Sequence, residues 1–220
     1  MEETDGGWAV YTDDDGEREL RKRFAVSSES FAEGWEEAWR EFHHGVVVGG
    51  LWVGPPWELP TDGAIPVVVD PGRAFGTGAH ATTRLSLELL QQLEPASLLD
   101  VGCGSGVVAI SAVKLGFGPA VAIDVEDDAV QTTIANARVN GVEVTAYRAD
   151  ALAEELPEAE VAVANIAFEV VQRLLPRLRT RLAIVSGYLD RDAPDVAGWR
   201  RVEHRDREGW GADLLERELS

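Results

Sequence analysis

The chain has 220 residues, 45% of them hydrophobic, which is enough for one α/β domain and a short accessory segment. The net charge of −19 would repel a phosphate backbone, so neither direct nucleic-acid binding nor a membrane interaction is expected. No apolar run approaches the roughly 18 residues of a membrane span, and the acidic start MEETDGG is typical of neither a signal nor a transit peptide. The single cysteine, Cys103, excludes an intramolecular disulfide and favours a reducing, cytoplasmic location.

The acidity has two interpretations, and the charge alone does not choose between them. It would attract a basic protein partner, or it would only keep the surface solvated. Residues 1–70 carry −11 of the total charge, so the acidity is concentrated towards the front of the chain.

The first 29 residues are charged and irregular, with a weak strand predicted at Trp8–Thr12 and a turn at Asp13–Gly16. A helix is expected from Ser30, because Ser30 and Glu33 have the spacing of a capping box. Aromatic residues follow at helical spacing and predict a face that packs on the main domain. These residues are Phe31, Trp35, Trp39 and Phe42.

Residues 49–66 are rich in Gly, Pro and Trp and predict an ordered connector, followed by a short strand at Val67–Asp70. From about Leu85 strands and helices alternate, which is typical of a doubly wound, mostly parallel sheet. Two extended stretches near the end predict an antiparallel hairpin. The predicted strands are Leu98–Val101, Ala120–Val125, Val144–Arg148, Val161–Asn165, Leu182–Ser186, Arg200–Asp206 and Ala212–Glu218, and the helices begin near Ser105, Asp128 and Phe168.

A glycine-rich loop follows the first strand of this pattern, in LLDVGCGSGVVAISAVKLG. Gly102, Gly104 and Gly106 come after Asp100 at alternate positions, and a helix begins directly after them. Glycine is needed where the backbone turns sharply or approaches a ligand. A dinucleotide fingerprint would place its third glycine one residue later, where Val107 stands. The D-x-G-x-G-x-G spacing instead resembles motif I of class I methyltransferases, whose loop wraps the methionine part of S-adenosylmethionine.

An acidic residue ends each of the next two strands. Asp124 lies 22 residues after Gly102, where a carboxylate can accept hydrogen bonds from both ribose hydroxyls of a cofactor. The alternative for Asp124 is a solvated loop carboxylate, and the glycine loop before it favours the ribose role. Asp150 either approaches the adenine amine or is an ordinary loop acid.

The segment DPGRAFGTGAHATTRLSLELL, together with LLDVGCGSG, AIDV and VANIA, is more specific than the glycine loop alone. In these segments, and from about Trp35 to Leu189, the chain resembles the ribosomal protein L11 methyltransferase family. The resemblance implies a Rossmann-like class I fold and transfer of methyl groups from S-adenosylmethionine to amino groups of one large-subunit ribosomal protein. The cofactor-contacting positions that it implies are Phe75, Gly76, Thr77, Gly78, Thr83, Asp100, Gly102, Gly104, Gly106, Asp124 and Asn165.

Two further roles come from residue chemistry in this region. Thr82 and Thr83 are predicted to cap the helix that starts there, in addition to any cofactor contact. His80 is a candidate proton acceptor, although a structural hydrogen bond within its loop is the favoured interpretation. His43 and His44 have no spaced partners that would predict a metal site.

The resemblance also divides the chain. Residues 67–220 are expected to form the cofactor-binding domain, and residues 30–66 a helix and connector. The family carries an N-terminal recognition module, whereas fewer than thirty residues precede Ser30 here. Residues 1–29 are therefore expected to be a remnant of that module, or the start of the chain lies outside this sequence.

Asn165 is the candidate catalytic residue, at the end of the fourth predicted strand in VAVANIAFE. Ligands of open α/β sheets bind at this edge, and an amide oxygen can accept a hydrogen bond from an amine without adding charge. The position resembles the Asn of the N-P-P-Y motif of amino-methyltransferases, with Ile166 and Ala167 in place of the prolines. The alternative is that Asn165 only caps the following helix.

The sequence thus predicts an S-adenosylmethionine-dependent methyltransferase of lysine side chains or an N-terminal amine in a basic, ribosomal substrate. Three other functions stay open. They are methylation of another protein or a small molecule, a dinucleotide-dependent oxidoreductase, which Val107 disfavours, and a non-catalytic cofactor-binding interaction module.

Overall fold

A computed structural model describes residues 2–4, 7–9, 44–70, 78–192 and 194–218. The chain divides into two units, Met1–Glu41 and Phe42–Ser220. In the first unit, strands β1 (Glu2–Thr4) and β2 (Gly7–Ala9) pair antiparallel. The strand predicted at Trp8–Thr12 overlaps β2. The predicted turn at residues 13–16 and the predicted aromatic helix from residue 30 lie outside the described residues.

The second unit contains a seven-stranded sheet whose strands follow the predicted ones closely. Its order is β11-β12-β10-β9-β6-β7-β8, with β6 to β10 mutually parallel and β12 antiparallel to both of its neighbours. This is the doubly wound sheet with a C-terminal hairpin that the sequence predicts. The strands are β6 (Leu98–Val101), β7 (Ala120–Asp124), β8 (Thr145–Arg148), β9 (Val161–Asn165), β10 (Leu182–Leu189), β11 (Trp199–Arg207) and β12 (Trp210–Arg217).

Four helices cover both faces of this sheet: α1 (Ala81–Leu90), α2 (Val107–Lys114), α3 (Asp127–Asn140) and α4 (Phe168–Leu174). Strand β9 shows how both faces become apolar. Val161 and Val163 join the core shared with α1, α2 and α3, whereas Ala162 and Ala164 join the core shared with α4. A strand buried on both faces reads as a continuous apolar run, as VAVA does here. No helix among the described residues is long and apolar enough to cross a membrane.

A smaller sheet stands where the sequence predicts a connector. Strands β3 (Val46–Val48) and β4 (Leu51–Gly54) pair antiparallel, and β4 pairs parallel with β5 (Ile65–Val68). The predicted strand at Val67–Asp70 therefore begins two residues earlier and ends at Val68. The prediction missed β4 because the strand has only four residues and lies in a stretch rich in Gly, Pro and Trp, a composition typical of a connector.

The hairpin of β11 and β12 is held by charge around one buried carboxylate. Asp213 is fully buried and accepts hydrogen bonds from Tyr188 Oη at 2.7 Å and His204 Nδ1 at 2.9 Å, and Arg201 Nε lies 2.7 Å from it. His204 Nε2 is also 2.7 Å from Asp190 Oδ1. Burial opposes the charged form of His204, but the hydrogen bonds to both carboxylates raise its pKa above the ordinary value.

Candidate active site

Those predicted site residues that the structure describes converge on the carboxyl edge of the large sheet. The glycine loop follows β6, Asp124 ends β7 and Asn165 ends β9. Gly78 and His80 precede α1, whose Thr83 reaches the same edge through its hydrogen bond to Asn165. Ligands of open α/β sheets bind at this edge, so the topology brings together the residues that the sequence singles out.

The alternate glycines of the loop are explained by backbone conformation. Gly102, Gly104 and Gly106 have φ values of +73°, +53° and +80°, a region that other residues rarely adopt. Space is also restricted at two of them. A Cβ at Gly102 would lie 2.5 Å from Ile166 Cγ2, and one at Gly106 would lie 2.8 Å from Thr133 Cγ2. The loop thus requires glycine both for its turns and for its neighbours.

Side chains from outside the loop bind its backbone on several sides. Asp124 Oδ2 accepts a hydrogen bond from Gly104 N at 3.0 Å. Helix α3 supplies two more, from Thr133 Oγ1 to Gly104 O at 3.1 Å and from Asn136 Nδ2 to Ser105 O at 2.9 Å. Both α3 residues are buried. Polar groups therefore hold the loop backbone on several sides.

Asn136 and Asn140 of α3 also hold the end of β5. Asn136 Oδ1 accepts from Asp70 N at 3.1 Å, and Asn140 Oδ1 accepts from Val68 N at 2.9 Å. Sequence reasoning missed Thr133, Asn136 and Asn140. These three polar residues recur at helical spacing on the face of α3 that also carries Ala137. Polar residues on an apolar helix face indicate buried hydrogen bonds, so this pattern could have identified them.

Residues 71–77 follow directly, and they include Phe75, Gly76 and Thr77 of the predicted cofactor loop. These three lie outside the described residues, so their cofactor role stays a prediction. Gly78 is described, with φ +83°, and a Cβ there would overlap Val53 Cγ1. Gly78 therefore fits against β4 only because it lacks a side chain.

Asp100 lies beneath the glycine loop. It is 2% exposed, and its Oδ2 accepts a hydrogen bond from Ala109 N at 3.1 Å. Burial raises the pKa of Asp100 to about 7, the Ala109 N–H opposes that rise, and the nearby Asp124 carboxylate adds to it. Asp100 thus accepts one of the N–H groups in the first turn of α2.

Asp124 is half-buried at the tip of β7. Its Oδ1 accepts from Glu126 N at 3.1 Å while Oδ2 binds the loop. A carboxylate has about four lone-pair positions, so both oxygens keep capacity for ligand hydroxyls. Asp150 differs, because it is exposed and its Oδ1 accepts from Leu152 N at 2.8 Å, as expected of a loop acid.

Asn165 donates from Nδ2 to Thr83 Oγ1 at 3.2 Å. Helix α4 has Ala167 at its N-cap with no side-chain capping bond, so the alternative that Asn165 caps this helix is wrong. The hydrogen bond to buried Thr83 fixes the amide, and no described residue donates to its Oδ1. That oxygen is therefore an uncharged acceptor available at this edge.

Thr82 and Thr83 do not cap α1 as predicted. The N-cap is His80, whose Nδ1 accepts from Thr82 N at 3.4 Å and lies 2.8 Å from Thr82 Oγ1. A neutral imidazole nitrogen can accept a hydrogen bond, just as a hydroxyl oxygen can. The usual capping pattern does not include histidine, so it did not predict this cap. The favoured interpretation of His80, a structural hydrogen bond in its loop, is confirmed. Its ring also meets Trp210 edge-on, with centroids 4.9 Å apart.

Comparison with known proteins identifies the family. A profile of the ribosomal protein L11 methyltransferase (PrmA) family matches residues 9–215. The chain belongs to this family. It is 43% identical over 183 residues to the ribosomal protein L11 methyltransferase of Bordetella parapertussis (strain 12822 / ATCC BAA-587 / NCTC 13253), covering 73% of the chain and 59% of that relative. It is 38% identical over 201 residues to that of Vibrio parahaemolyticus serotype O3:K6 (strain RIMD 2210633), covering 84% and 66%.

Solved structures of methyltransferases have the same fold. The ribosomal protein L11 methylase of Lactobacillus delbrueckii subsp. bulgaricus superposes with a TM-score of 0.72 at 27% identity, over 80% of this chain and 100% of that one. An RNA methyltransferase from Salinibacter ruber, in complex with S-adenosyl-L-homocysteine, gives 0.50 at 25% identity, over 61% and 90%. The chain spans about six-tenths of the length of the first curated relatives that it matches.

Proposed function

We propose that this chain uses S-adenosylmethionine to methylate amino groups of a large-subunit ribosomal protein, namely ribosomal protein L11. The observation that carries the proposal is the pairing of two features at one sheet edge. A glycine loop with a ribose-type carboxylate, Asp124, stands beside a fixed amide, Asn165, whose oxygen binds no described donor. Family membership supports the same activity.

The described residues fit the proposed cofactor. Gly102, Gly104 and Gly106 keep the loop free of side chains, so a ligand can approach its backbone. Asp124 would accept the ribose hydroxyls. When bound, the cofactor supplies a methyl group on a positively charged sulfur, which a neutral amine can attack.

The protein must then supply an uncharged and oriented amine. A lysine with a pKa of about 10.4 costs about 4–5 kcal/mol to deprotonate at neutral pH, and an α-amine of about 8 costs about 1–1.5 kcal/mol. Asn165 Oδ1 accepts a hydrogen bond from the amine N–H and so directs its lone pair, with no negative charge that would favour the ammonium form. Catalysis by this residue is therefore mainly positioning.

The charge of the chain fits a basic substrate. A net charge of −19 attracts a positively charged protein over distances of about a Debye length, roughly 10 Å in 0.1 M salt. Added salt should therefore slow the reaction at low substrate concentration. A ribosomal substrate is consistent with the cytoplasmic location that the sequence predicts.

The test is methyl transfer from radiolabelled S-adenosylmethionine to purified ribosomal protein L11. Native L11 should take up label, and L11 whose amino groups have been acetylated beforehand should not. Label on the acetylated protein would contradict N-methylation. Label on a different protein of a cell extract, with none on L11, would contradict the substrate while keeping the methyltransferase activity.

A further inference from the structure

The turn that follows Asn165 is enclosed by two glycines from neighbouring strands. A Cβ at Gly102 would lie 2.5 Å from Ile166 Cγ2, so the Ile166 side chain packs directly on the glycine loop. On the other side, a Cβ at Gly187 would overlap the backbone carbonyl of Ile166. Ile166 therefore contacts backbone on both sides, at points where any larger residue would displace it.

Gly187 reaches this position through an irregularity in β10. The register of β10 with β12 shifts between Ser186 and Tyr188, so Gly187 is the extra residue of a bulge, with φ +101°. Bulges at the ends of strands redirect the chain beside functional sites. Here the bulge brings the backbone against Ile166, and Ile166 N donates to Ser186 O at 3.0 Å.

We infer that Ile166 is a positioning residue, held between Gly102 and Gly187, that fixes the Asn165 amide relative to the glycine loop. The inference rests on the proposed function, because it assigns Asn165 the role of orienting the amine. A proline would stiffen such a turn through its ring. Neither Ile166 nor Ala167 has a ring that restricts the backbone. Packing of Ile166 between the two glycines restricts the turn instead.

The side-chain contact gives a sharp test, because it is made by one atom. Ile166→Val keeps Cγ2, whereas Ile166→Leu has nearly the volume of isoleucine but no branch at Cβ. The leucine variant should lower kcat about tenfold or more, since small misplacements near the reacting atoms are costly. Its KM for L11 and its Kd for S-adenosylhomocysteine should stay within about twofold, and the valine variant should keep kcat within about threefold.

The main-chain contact has a matched control. Gly187 and Gly198 both have positive φ, +101° and +85°, but a Cβ at Gly198 would meet nothing within 4 Å. Both alanine variants carry the backbone penalty, and only Gly187→Ala carries the collision with Ile166. Hydrogen exchange should therefore accelerate at the Ile166 amide and at the glycine-loop amides in Gly187→Ala, and not in Gly198→Ala.

These measurements separate the inference from the proposed function. If the unmodified protein does not methylate L11, the proposed function fails. Hydrogen exchange in the two alanine variants still decides whether the turn at Ile166 is linked to the glycine loop. Equal kcat values for the leucine and valine variants would overturn the inference. So would equal exchange in the two alanine variants, or a leucine variant that loses cofactor affinity as much as kcat.

Discussion

Two turns at the same sheet edge are held by different forces. The glycine loop after β6 is held by polar groups: Asp124 accepts a hydrogen bond from the loop, and Thr133 and Asn136 of α3 donate hydrogen bonds to it. The turn after β9 is held mainly by packing, with Ile166 between two glycines and a single backbone bond to Ser186. The hydrogen-bonded network around the glycine loop leaves acceptor capacity for a ligand. Close packing of the turn after β9 fixes the direction in which the Asn165 side chain leaves the backbone. The first suits cofactor binding and the second suits orientation of a reacting amine.

Removal of the Asn165 amide, at the start of the turn after β9, should reduce activity more than any other substitution considered. Asn165→Ala should lower kcat and kcat/KM together by about 100-fold, because it removes an interaction made in the transition state. The Kd for S-adenosylhomocysteine should rise much less than kcat falls, because Asn165 is a predicted cofactor contact as well as the predicted amine acceptor. Single-turnover kinetics and calorimetry measure the two quantities. An unchanged kcat would show that this amide does not orient the substrate.

Removal of the Asp124 carboxylate, which binds the glycine loop, should weaken cofactor binding. Asp124→Ala should weaken cofactor binding by about 1.5–3 kcal/mol, the range for hydrogen bonds to a charged group. The variant should stay folded, since Asp124 is only half-buried. Asp150→Ala is the control, because Asp150 binds only its own loop in the structure. Calorimetric titration that finds equal affinity in wild type and Asp124→Ala would remove Asp124 from the ribose site.

The support behind the glycine loop should appear in stability. Asn136→Ala removes the hydrogen bonds of this side chain to Asp70 N, Asp70 O and Ser105 O, which costs about 1–3 kcal/mol in the free energy of unfolding. Gln131→Ala on the same helix is the matched control, because Gln131 is exposed. Urea unfolding compares the two variants. A loss equal to that of the control would mean that α3 does not hold the loop.

A dependence of stability on pH is also expected. The pKa of Asp100, raised by burial to about 7, lies above the ordinary value of about 3.9. The folded state therefore binds the proton more tightly, so stability falls as pH rises from about 4 to about 7 and levels off above that. Asp100→Asn keeps an acceptor for Ala109 N without this charge.

Melting temperatures at about pH 5 and about pH 8 test this linkage. The melting temperature of Asp100→Asn, relative to that of the wild type, should be higher at about pH 8 than at about pH 5. An equal difference between the two proteins at both pH values would show that Asp100 does not ionise across this range.

The sequence predicted the large sheet well because its central strands β6, β9 and β10 are continuous apolar runs buried on both faces, and clear helix signals separate the strands. The ends of β6 and β9 match the predicted residues, and the three helix starts differ from prediction by at most two residues. The small sheet was missed, since β4 has only four residues and lies in a stretch rich in Gly, Pro and Trp. Short strands of this kind are defined by pairing partners distant in sequence.

In the candidate site, the residues with a distinctive motif were predicted, and their supports were not. Gly102, Asp124 and Asn165 stand at strand ends, a position that the sequence pattern identifies. Asn136 and Gly187 act through tertiary contacts, with partners tens of residues away. The capping of α1 by His80 was also missed, because side chains other than the usual Ser, Thr, Asp and Asn can accept the same bond.

The glycine loop and Asp124 are proposed to form an S-adenosylmethionine site, and calorimetry with two ligands tests this proposal. The third glycine stands at residue 106 and Val107 occupies the dinucleotide position, so the loop does not match a pyrophosphate. S-adenosylhomocysteine should bind at one site per chain, and NAD should give no heat of binding under the same conditions. Binding of NAD, with none of S-adenosylhomocysteine, would contradict the assignment of this site.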